Sequence, residues 1–229
     1  MQLPHRRRIV LMRHGEVDYF VDGKPVPTEL AQLNADGRAQ ALAAGAALAA
    51  TPIDRAIVSG LPRTVETATL ALGGRAVPLE TRAELAEIRS GRIGSLPRAE
   101  RAALFVRSLA DVTDDGTFLL GDRWGDFRDR VRAAFDAILD DNGWTTLLIV
   151  AHGATNRVIM TEALGAPLAM MAHLEQDPAC INLIDVDDAG HPVARLVNYT
   201  PYDPLKRELT HTTMERYLSR WPEERPDER

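Results

Sequence analysis

A run of four apolar residues near the start of the chain constrains the fold more than any other stretch. Residues 9–12 read Ile-Val-Leu-Met, and an unbroken apolar run is typical of a strand that a parallel sheet buries on both faces. The run ends at Arg13, His14 and Gly15. This combination suits an anion, because glycine lets a ligand approach the backbone closely. A lone histidine after a strand is also a common structural residue. The rest of the chain is needed to distinguish an anion-binding histidine from a structural one.

Two further predicted strands, residues 56–58 and 145–151, are followed by the same kinds of side chain. The groups that follow the three strands are guanidinium and imidazole groups, namely Arg13, His14, Arg63 and His152. Ligands bind beyond the carboxyl ends of the strands in an open α/β sheet, so these four groups converge if the strands are neighbours. Arg63 and the residues after His152 also lie at predicted helix N-termini, which favour an anion. The sequence therefore predicts a phosphate pocket.

The alternation of strands and helices predicts an α/β fold, organised as a three-layer α/β/α sandwich. Its sheet is expected to be mostly parallel, with helices on both faces. The predicted helices cover residues 37–48, 62–72, 95–109, 126–141 and 154–164. Besides the strands already named, the sequence predicts an edge strand at 77–79 and a hairpin formed by 181–186 and 193–197.

The chain is predicted to form one domain over residues 1–229. Residues 17–33 read as a long connection, and loops of that length are usually functional or mobile. Residues 82–125 are interpreted as a helical insertion over the active site. The tail is charged and partly helical from Glu208, and residues 222–229 are expected to be loose.

Composition excludes several classes of function. The net charge of −6 argues against a nucleic acid or an acidic membrane surface as partner. The single cysteine, Cys180, rules out an internal disulfide and a cysteine-based zinc site, and its apolar neighbours predict a core position. No stretch is apolar for long enough to span a membrane, so a soluble cytoplasmic protein is expected. The oligomeric state is left open, a homodimer included.

Five motifs of the chain resemble those of the histidine phosphatase superfamily, which includes the cofactor-dependent phosphoglycerate mutases. They occur in family order at residues 11–16, 33–41, 59–68, 85–94 and 150–153. The resemblance extends from about residue 8 to residue 186. It implies the α/β fold predicted above. It also implies phosphoryl transfer without a metal ion or cofactor, because arginines would supply the positive charge that a metal ion supplies elsewhere.

The resemblance also implies roles for individual residues. His14 would attack phosphorus and form a phosphohistidine, which divides one hard displacement into two easier ones. Its other ring nitrogen would have to be held as a donor, so that the attacking nitrogen keeps its lone pair. Arg13, Arg63 and His152 would bind the phosphate oxygens and neutralise their charge. Gly153 would belong to the same substrate-binding pocket.

A carboxylate would complete the machinery by protonating the leaving oxygen and then deprotonating water. Glu87 is favoured by its spacing to Gly91, but Glu84 lies one helical turn away and could do the same work. The chain departs from the family at a position where many relatives carry a phosphate-binding asparagine. Phe20 stands there with Tyr19 beside it, and these two residues are expected to form an aromatic wall facing the substrate.

The sequence thus predicts a metal-independent phosphomonoesterase that hydrolyses a small phosphorylated metabolite through a phosphohistidine on His14. One alternative is phosphotransfer of the phosphoglycerate mutase type, in which the phosphoenzyme is kept from water. Another is a non-catalytic module that binds a phosphorylated ligand. The substrate stays open, because specificity is expected to depend on residues 17–33 and 82–125.

Overall fold

The computed structural model describes residues 6–22, 24–110 and 112–221. Its strands are β1 (Arg6–Arg13), β2 (Phe20–Val21), β3 (Lys24–Pro25), β4 (Arg55–Val58), β5 (Leu79–Thr81), β6 (Thr146–Ala151), β7 (Ile181–Asp187) and β8 (Pro192–Tyr199). Its α-helices are α1 (Ala35–Ala47), α2 (Pro62–Leu72), α3 (Arg98–Arg107), α4 (Trp124–Asp140), α5 (Gly153–Ala163) and α6 (Thr213–Ser219). The predicted loose tail, residues 222–229, lies outside the described residues.

Six of the strands form one sheet in the order β5-β4-β6-β1-β7-β8. The pairs β5–β4, β4–β6 and β6–β1 are parallel, whereas β7 runs antiparallel to both β1 and β8. The ends of the three central strands are level, because Arg13 pairs with Ala151 and Val58 pairs with Val150. The strands expected to carry the pocket are therefore neighbours, and the prediction of a mostly parallel sheet is confirmed.

Helices cover both faces of this sheet. Side chains alternate between the faces of a strand, and β1 accordingly contributes to two apolar clusters. Ile9 and Leu11 pack with side chains of α4 and α5 on one face. Val10 and Met12 pack with α1 and α2 on the other. All four are fully buried, and burial of each such side chain stabilises the fold by about 1.5–3 kcal/mol. The three-layer α/β/α prediction is confirmed.

Several helix boundaries follow directly from local chemistry. Asn34 caps α1, where its side chain accepts a hydrogen bond of 2.8 Å from the Gly37 amide. Helix α2 starts at Pro62, whose missing N–H costs nothing in a first turn. It ends at Leu72, and Gly73 caps it in the left-handed region with φ of 59°. Cys180 is a fully buried core residue as predicted, and burial raises the pKa of its thiol to about 12.

Two sequence-based boundaries were wrong, and one predicted connection contains additional structure. The edge strand covers Leu79–Thr81 instead of 77–79, although it does lie at the sheet edge; Pro78 has no N–H to donate and only its carbonyl pairs, with the Ala56 amide. The connection at 17–33 contains the short hairpin of β2 and β3. The helix predicted at 95–109 starts later, at Arg98, because Pro97 occupies its N-cap.

The C-terminal helix α6 packs against α3. Its first turn carries a capping box in which Thr212 and Glu215 exchange hydrogen bonds. Tyr217 on α6 contacts the rings of Tyr19, Phe20 and Phe105, with centroids 5.0–5.8 Å apart. Helix α6 thereby joins the connection after β1 to the predicted insertion. No helix among the described residues is long and apolar enough to cross a membrane.

Candidate active site

The two histidines lie side by side at the ends of β1 and β6, with ring centroids 5.2 Å apart. His14 is 2% exposed and His152 is fully buried. Nδ1 of His14 is 2.7 Å from the carbonyl oxygen of Gly15. A carbonyl can only accept, so Nδ1 carries the hydrogen and Nε2 keeps a lone pair. His14 thus has the tautomer that a nucleophilic imidazole needs.

Both imidazoles are held in their neutral form. Burial is the largest cause that places the pKa of His14 well below its usual value, followed by the charges of Arg63 and Arg13 and the neighbouring His152. The pKa of His152 is lowered in the same way, by burial and then by Arg63, Arg13 and Arg130. Desolvation and nearby positive charge both disfavour an imidazolium. The nucleophilic form of His14 is therefore the dominant one at neutral pH.

The structure brings the predicted arginines to the two histidines. Arg63 lies in the first turn of α2 and is 2% exposed; its Nη1 donates to the carbonyl of Thr28 in the connection after β1. Arg13 is 7% exposed, and its Nη1 donates to the carbonyl of Gln176 at 2.7 Å. Each guanidinium is thus held through Nη1, while its Nε–H group remains available to a ligand.

Three buried nitrogens of this site have no hydrogen-bond partner among the described residues. They are Nε of Arg13, Nε of Arg63 and Nδ1 of His152. Buried polar atoms in folded proteins are nearly always paired, and exceptions are frequent at functional sites. Two cationic donors and one imidazole nitrogen therefore remain available around His14, and this arrangement suits an anion such as phosphate.

A short chain of hydroxyl groups orients His152. Its Nε2 lies 2.8 Å from Ser59 Oγ, and Ser59 Oγ lies 3.1 Å from Oγ1 of Thr64. Thr64 gives its one hydroxyl hydrogen to the carbonyl of Leu61. The Ser59 hydroxyl consequently donates to Thr64 and accepts from Nε2–H of His152. This order leaves Nδ1 of His152 as the nitrogen that can take up a proton.

The side chain of Glu87 reaches the first amides of α5. Its carboxylate accepts hydrogen bonds from the amides of Ala154 at 3.1 Å and Thr155 at 3.2 Å. The helix N-terminus after His152 was predicted to favour an anion, and two of its amides hold the Glu87 carboxylate. Because free amides at a helix start attract the nearest negative group, the chain's own Glu87 occupies them.

Gly153 separates this carboxylate from the arginine site. A methyl group added at Gly153 would lie 3.6 Å from Arg13 Nε and 3.7 Å from Glu87 Oε2. The carboxylate and the Arg13 guanidinium therefore lie on either side of the space next to Gly153. Glu84, the other candidate, is exposed. The geometry favours Glu87 over Glu84 as the carboxylate next to the histidines.

A cavity of about 280 Å³ opens above Arg13 and His14. The two residues expected to form an aromatic wall, Tyr19 and Phe20, line one side of it. The remaining side is formed largely by the C-terminal helix and the residue after it, through Thr213, Arg216, Tyr217 and Arg220. Arg220 pairs with Glu16 across this cavity.

The sequence interpretation missed several polar residues behind the site. Arg157 lies one turn into α5, is 4% exposed, and has Nη1 3.4 Å from the position of a methyl group at Gly153. It pairs with Glu175 at 3.0 Å. The spacing of four residues from Gly153 could have identified Arg157. Nothing in the local sequence signals the contribution of α6, which follows β1 by about two hundred residues.

Comparison with known proteins places the chain in a family. The model of the histidine phosphatase superfamily (branch 1) matches residues 9–200. The chain is 27% identical to the probable phosphoglycerate mutase GpmB of Salmonella paratyphi A, over 80% of this chain and 86% of that protein. It is 26% identical to a 2-carboxy-D-arabinitol-1-phosphatase of Triticum aestivum, over 90% of this chain but only 43% of that protein. This chain belongs to the histidine phosphatase superfamily.

The fold comparison agrees with this membership. The α-ribazole phosphatase of Shigella flexneri superimposes with a TM-score of 0.70 at 24% identity, covering 83% of this chain and 96% of that one. The relatives carry the names of phosphatases and of phosphoglycerate mutases. Membership in the superfamily therefore supports a phosphoryl-transferring activity.

Proposed function

We propose that this chain is a phosphomonoesterase that hydrolyses small phosphate esters through a phosphohistidine on His14. The observation that carries the proposal is the neutral His14 imidazole surrounded by three unpaired buried nitrogens, on Arg13, Arg63 and His152. A neutral imidazole with a free lone pair is a nucleophile. Cationic donors placed around it can stabilise the charge of a transferring phosphoryl group.

In the first step, Nε2 of His14 forms a bond to phosphorus while the bond from phosphorus to the ester oxygen breaks. Glu87 enters this step in its protonated form, gives its proton to the departing oxygen, which leaves as an alcohol, and becomes a carboxylate. Arg13 and Arg63 hold the phosphoryl oxygens through their unpaired Nε–H groups. His152 takes up a proton from solvent at Nδ1 when the dianionic ester binds, because a bound anion offsets the neighbouring arginine charges. It donates a hydrogen bond to the phosphoryl group and gives the proton back to solvent when phosphate leaves.

In the second step, water attacks the phosphohistidine and the bond between phosphorus and Nε2 breaks. Glu87, now ionised, takes a proton from the attacking water and is ready to act as the acid again. The products are inorganic phosphate and neutral His14. The arginines supply the positive charge that a metal ion supplies in other phosphoryl-transfer sites.

The cavity supports a small substrate. Its volume of about 280 Å³ lies at the lower end of ligand-binding pockets. Its aromatic lining by Tyr19, Phe20 and Tyr217 offers apolar surface to the leaving group, while Arg13 and His14 at its base take the phosphate.

A panel of phosphate monoesters, assayed for phosphate release in the presence of EDTA, tests the proposal. We expect turnover by the unmodified protein and a loss of at least about 10³-fold in His14→Ala, since the nucleophile is removed. His191→Ala is the matched control, because His191 is exposed in the turn between β7 and β8. Interconversion of phosphoglycerates faster than phosphate release would favour a mutase. Phosphate binding without turnover of any ester would favour a binding module.

A further inference from the structure

Arg13 is anchored by a residue from the far end of the chain. Its Nη1 donates at 3.0 Å to Oγ1 of Thr213, the first residue of α6, in addition to the carbonyl of Gln176. Nη1 carries two hydrogens, so these two acceptors use both of them. The orientation of this guanidinium is therefore set by one backbone carbonyl and one hydroxyl.

The anchors determine which edge of the guanidinium is free. The group is planar and rigid, so holding Nη1 at two points fixes the direction of the opposite edge. That edge consists of Nε and Nη2, and neither atom makes a hydrogen bond to a described residue. Two parallel N–H groups on one edge match two oxygens of a phosphate in a bidentate pair. Arg13 is thus pre-oriented for phosphate by contacts made on its other side.

A half-buried carboxylate sets the direction of the Thr213 hydroxyl. Oγ1 of Thr213 lies 2.7 Å from Oε1 of Glu175, which also accepts from Arg157 at 3.0 Å. Burial alone would raise the pKa of Glu175, but Arg157, Thr213 and Arg13 outweigh it and hold the pKa below its usual value. Ionised Glu175 cannot donate, so the hydroxyl gives its hydrogen to Glu175 and presents a lone pair to Arg13.

An ion pair and a capping box hold helix α6 in place. Arg216, one turn after Thr213, pairs with the buried carboxylate of Asp177 at 3.1 Å. The capping box of Thr212 and Glu215 holds the first turn. These contacts place Thr213 beside Arg13 with little freedom to move.

From this geometry we infer that Thr213 is a positioning residue for phosphate binding. Its hydroxyl holds Arg13 with the Nε–Nη2 edge turned toward the phosphate, so that docking of α6 completes the site. The inference rests on the proposed function in one respect only, namely that Arg13 binds phosphate. It adds a requirement for a residue that lies outside the five motifs and about two hundred residues from His14.

Binding of inorganic phosphate, measured by calorimetry, tests this role without requiring turnover. Thr213→Val keeps the shape of the side chain and removes the hydroxyl, so we expect the Kd for phosphate to rise on the order of 10- to 100-fold, the range for a hydrogen bond to a charged group. Thr213→Ser keeps the hydroxyl and should restore binding to within about threefold. Thr210→Val is the matched control, because Thr210 is exposed and its Oγ1, within the part of the chain that the structure describes, hydrogen-bonds to the adjacent His211.

A double-mutant cycle separates positioning from a merely structural effect. In an Arg13→Lys background, the guanidinium edge is absent, and Thr213→Val should then change the Kd for phosphate by less than about twofold. A Kd in Thr213→Val equal to that of the unmodified protein, or an equal loss in both backgrounds, would overturn the inference. If Thr213→Val fails to unfold cooperatively, Thr213→Ala takes its place in the cycle. Phosphate binding that follows this pattern in a protein without turnover would sink the proposed hydrolysis and keep the role of Thr213.

Discussion

Replacing Glu87 with glutamine separates the two steps of the proposed reaction. Glutamine has the same size, and its carbonyl oxygen can still accept from one of the amides of Ala154 and Thr155. It can neither donate a carboxylic proton nor accept one from water. A methyl group at Gly153 would lie 3.7 Å from Glu87 Oε2 and 3.6 Å from Arg13 Nε. Because Glu87 is this near to the Arg13 site, we expect it to act on both the leaving oxygen and the attacking water.

The expected magnitude depends on the leaving group. For an alkyl phosphate, whose alkoxide must be protonated, Glu87→Gln should lower kcat/KM by about 10²–10⁴-fold. For nitrophenyl phosphate, whose leaving group needs no proton, kcat/KM should fall by less than about tenfold, because this ratio reports the first step. The second step still needs a base for water. Phosphohistidine should therefore accumulate, and nitrophenol should appear in a burst approaching one equivalent per site.

Stopped-flow absorbance at 400 nm measures the burst, and phosphate release measures the steady state. Glu84→Gln is the matched control, since Glu84 is an exposed carboxylate three residues away. It should behave as the unmodified protein with both esters. Equal losses with alkyl and nitrophenyl esters, or a leaving-group pattern that follows Glu84 instead of Glu87, would refute the assignment.

Three further predictions concern the surroundings of the site. Ser59→Ala leaves Nε2–H of His152 unpaired and should lower kcat/KM by about 5- to 150-fold; an unchanged kcat/KM would show that the hydroxyl chain does not orient this imidazole. Folding lowers the pKa values of His14 and His152. Below a pH of about 6.5 these two histidines therefore bind protons in the unfolded chain and remain neutral in the native state. Urea titrations should show that the free energy of unfolding falls with pH below that value, by up to about 1.4 kcal/mol per pH unit for each histidine, and His152→Gln should make the fall shallower. Gly37→Ala should lower the free energy of unfolding by about 3 kcal/mol or more, because the added methyl group would lie 2.1 Å from a backbone oxygen. Gly94→Ala is the control: its methyl group meets open space, so the same titrations should show a change of less than about 0.5 kcal/mol.

The core of the fold and the four central side chains could be predicted because their signals are local. An apolar run as short as residues 9–12 specifies a buried strand, and the strand carries Arg13 and His14 to the edge where ligands bind. The same reasoning holds for β6 and His152. The donor role of His14 Nδ1 was also anticipated, because an attacking imidazole needs its other nitrogen held as a donor.

The remaining contacts depend on tertiary packing and have no local signal. Whether the amides at the start of α5 meet a ligand or a carboxylate depends on where Glu87 falls after an irregular segment. The role of Thr213 depends on how a short helix near the end of the chain docks beside β1. Contacts between residues this far apart in sequence are visible only in the folded structure.

Identification of the phosphorylated residue tests the central claim most directly. The Glu87→Gln protein is mixed with ³²P-labelled nitrophenyl phosphate and quenched in alkali. Alkali preserves a phosphohistidine, whereas acid hydrolyses it. We predict that the label is stable in alkali, is lost in acid, and maps by peptide mass spectrometry to His14, with no labelling of the His14→Ala protein. Labelling of another residue, or equal labelling without His14, would contradict the account.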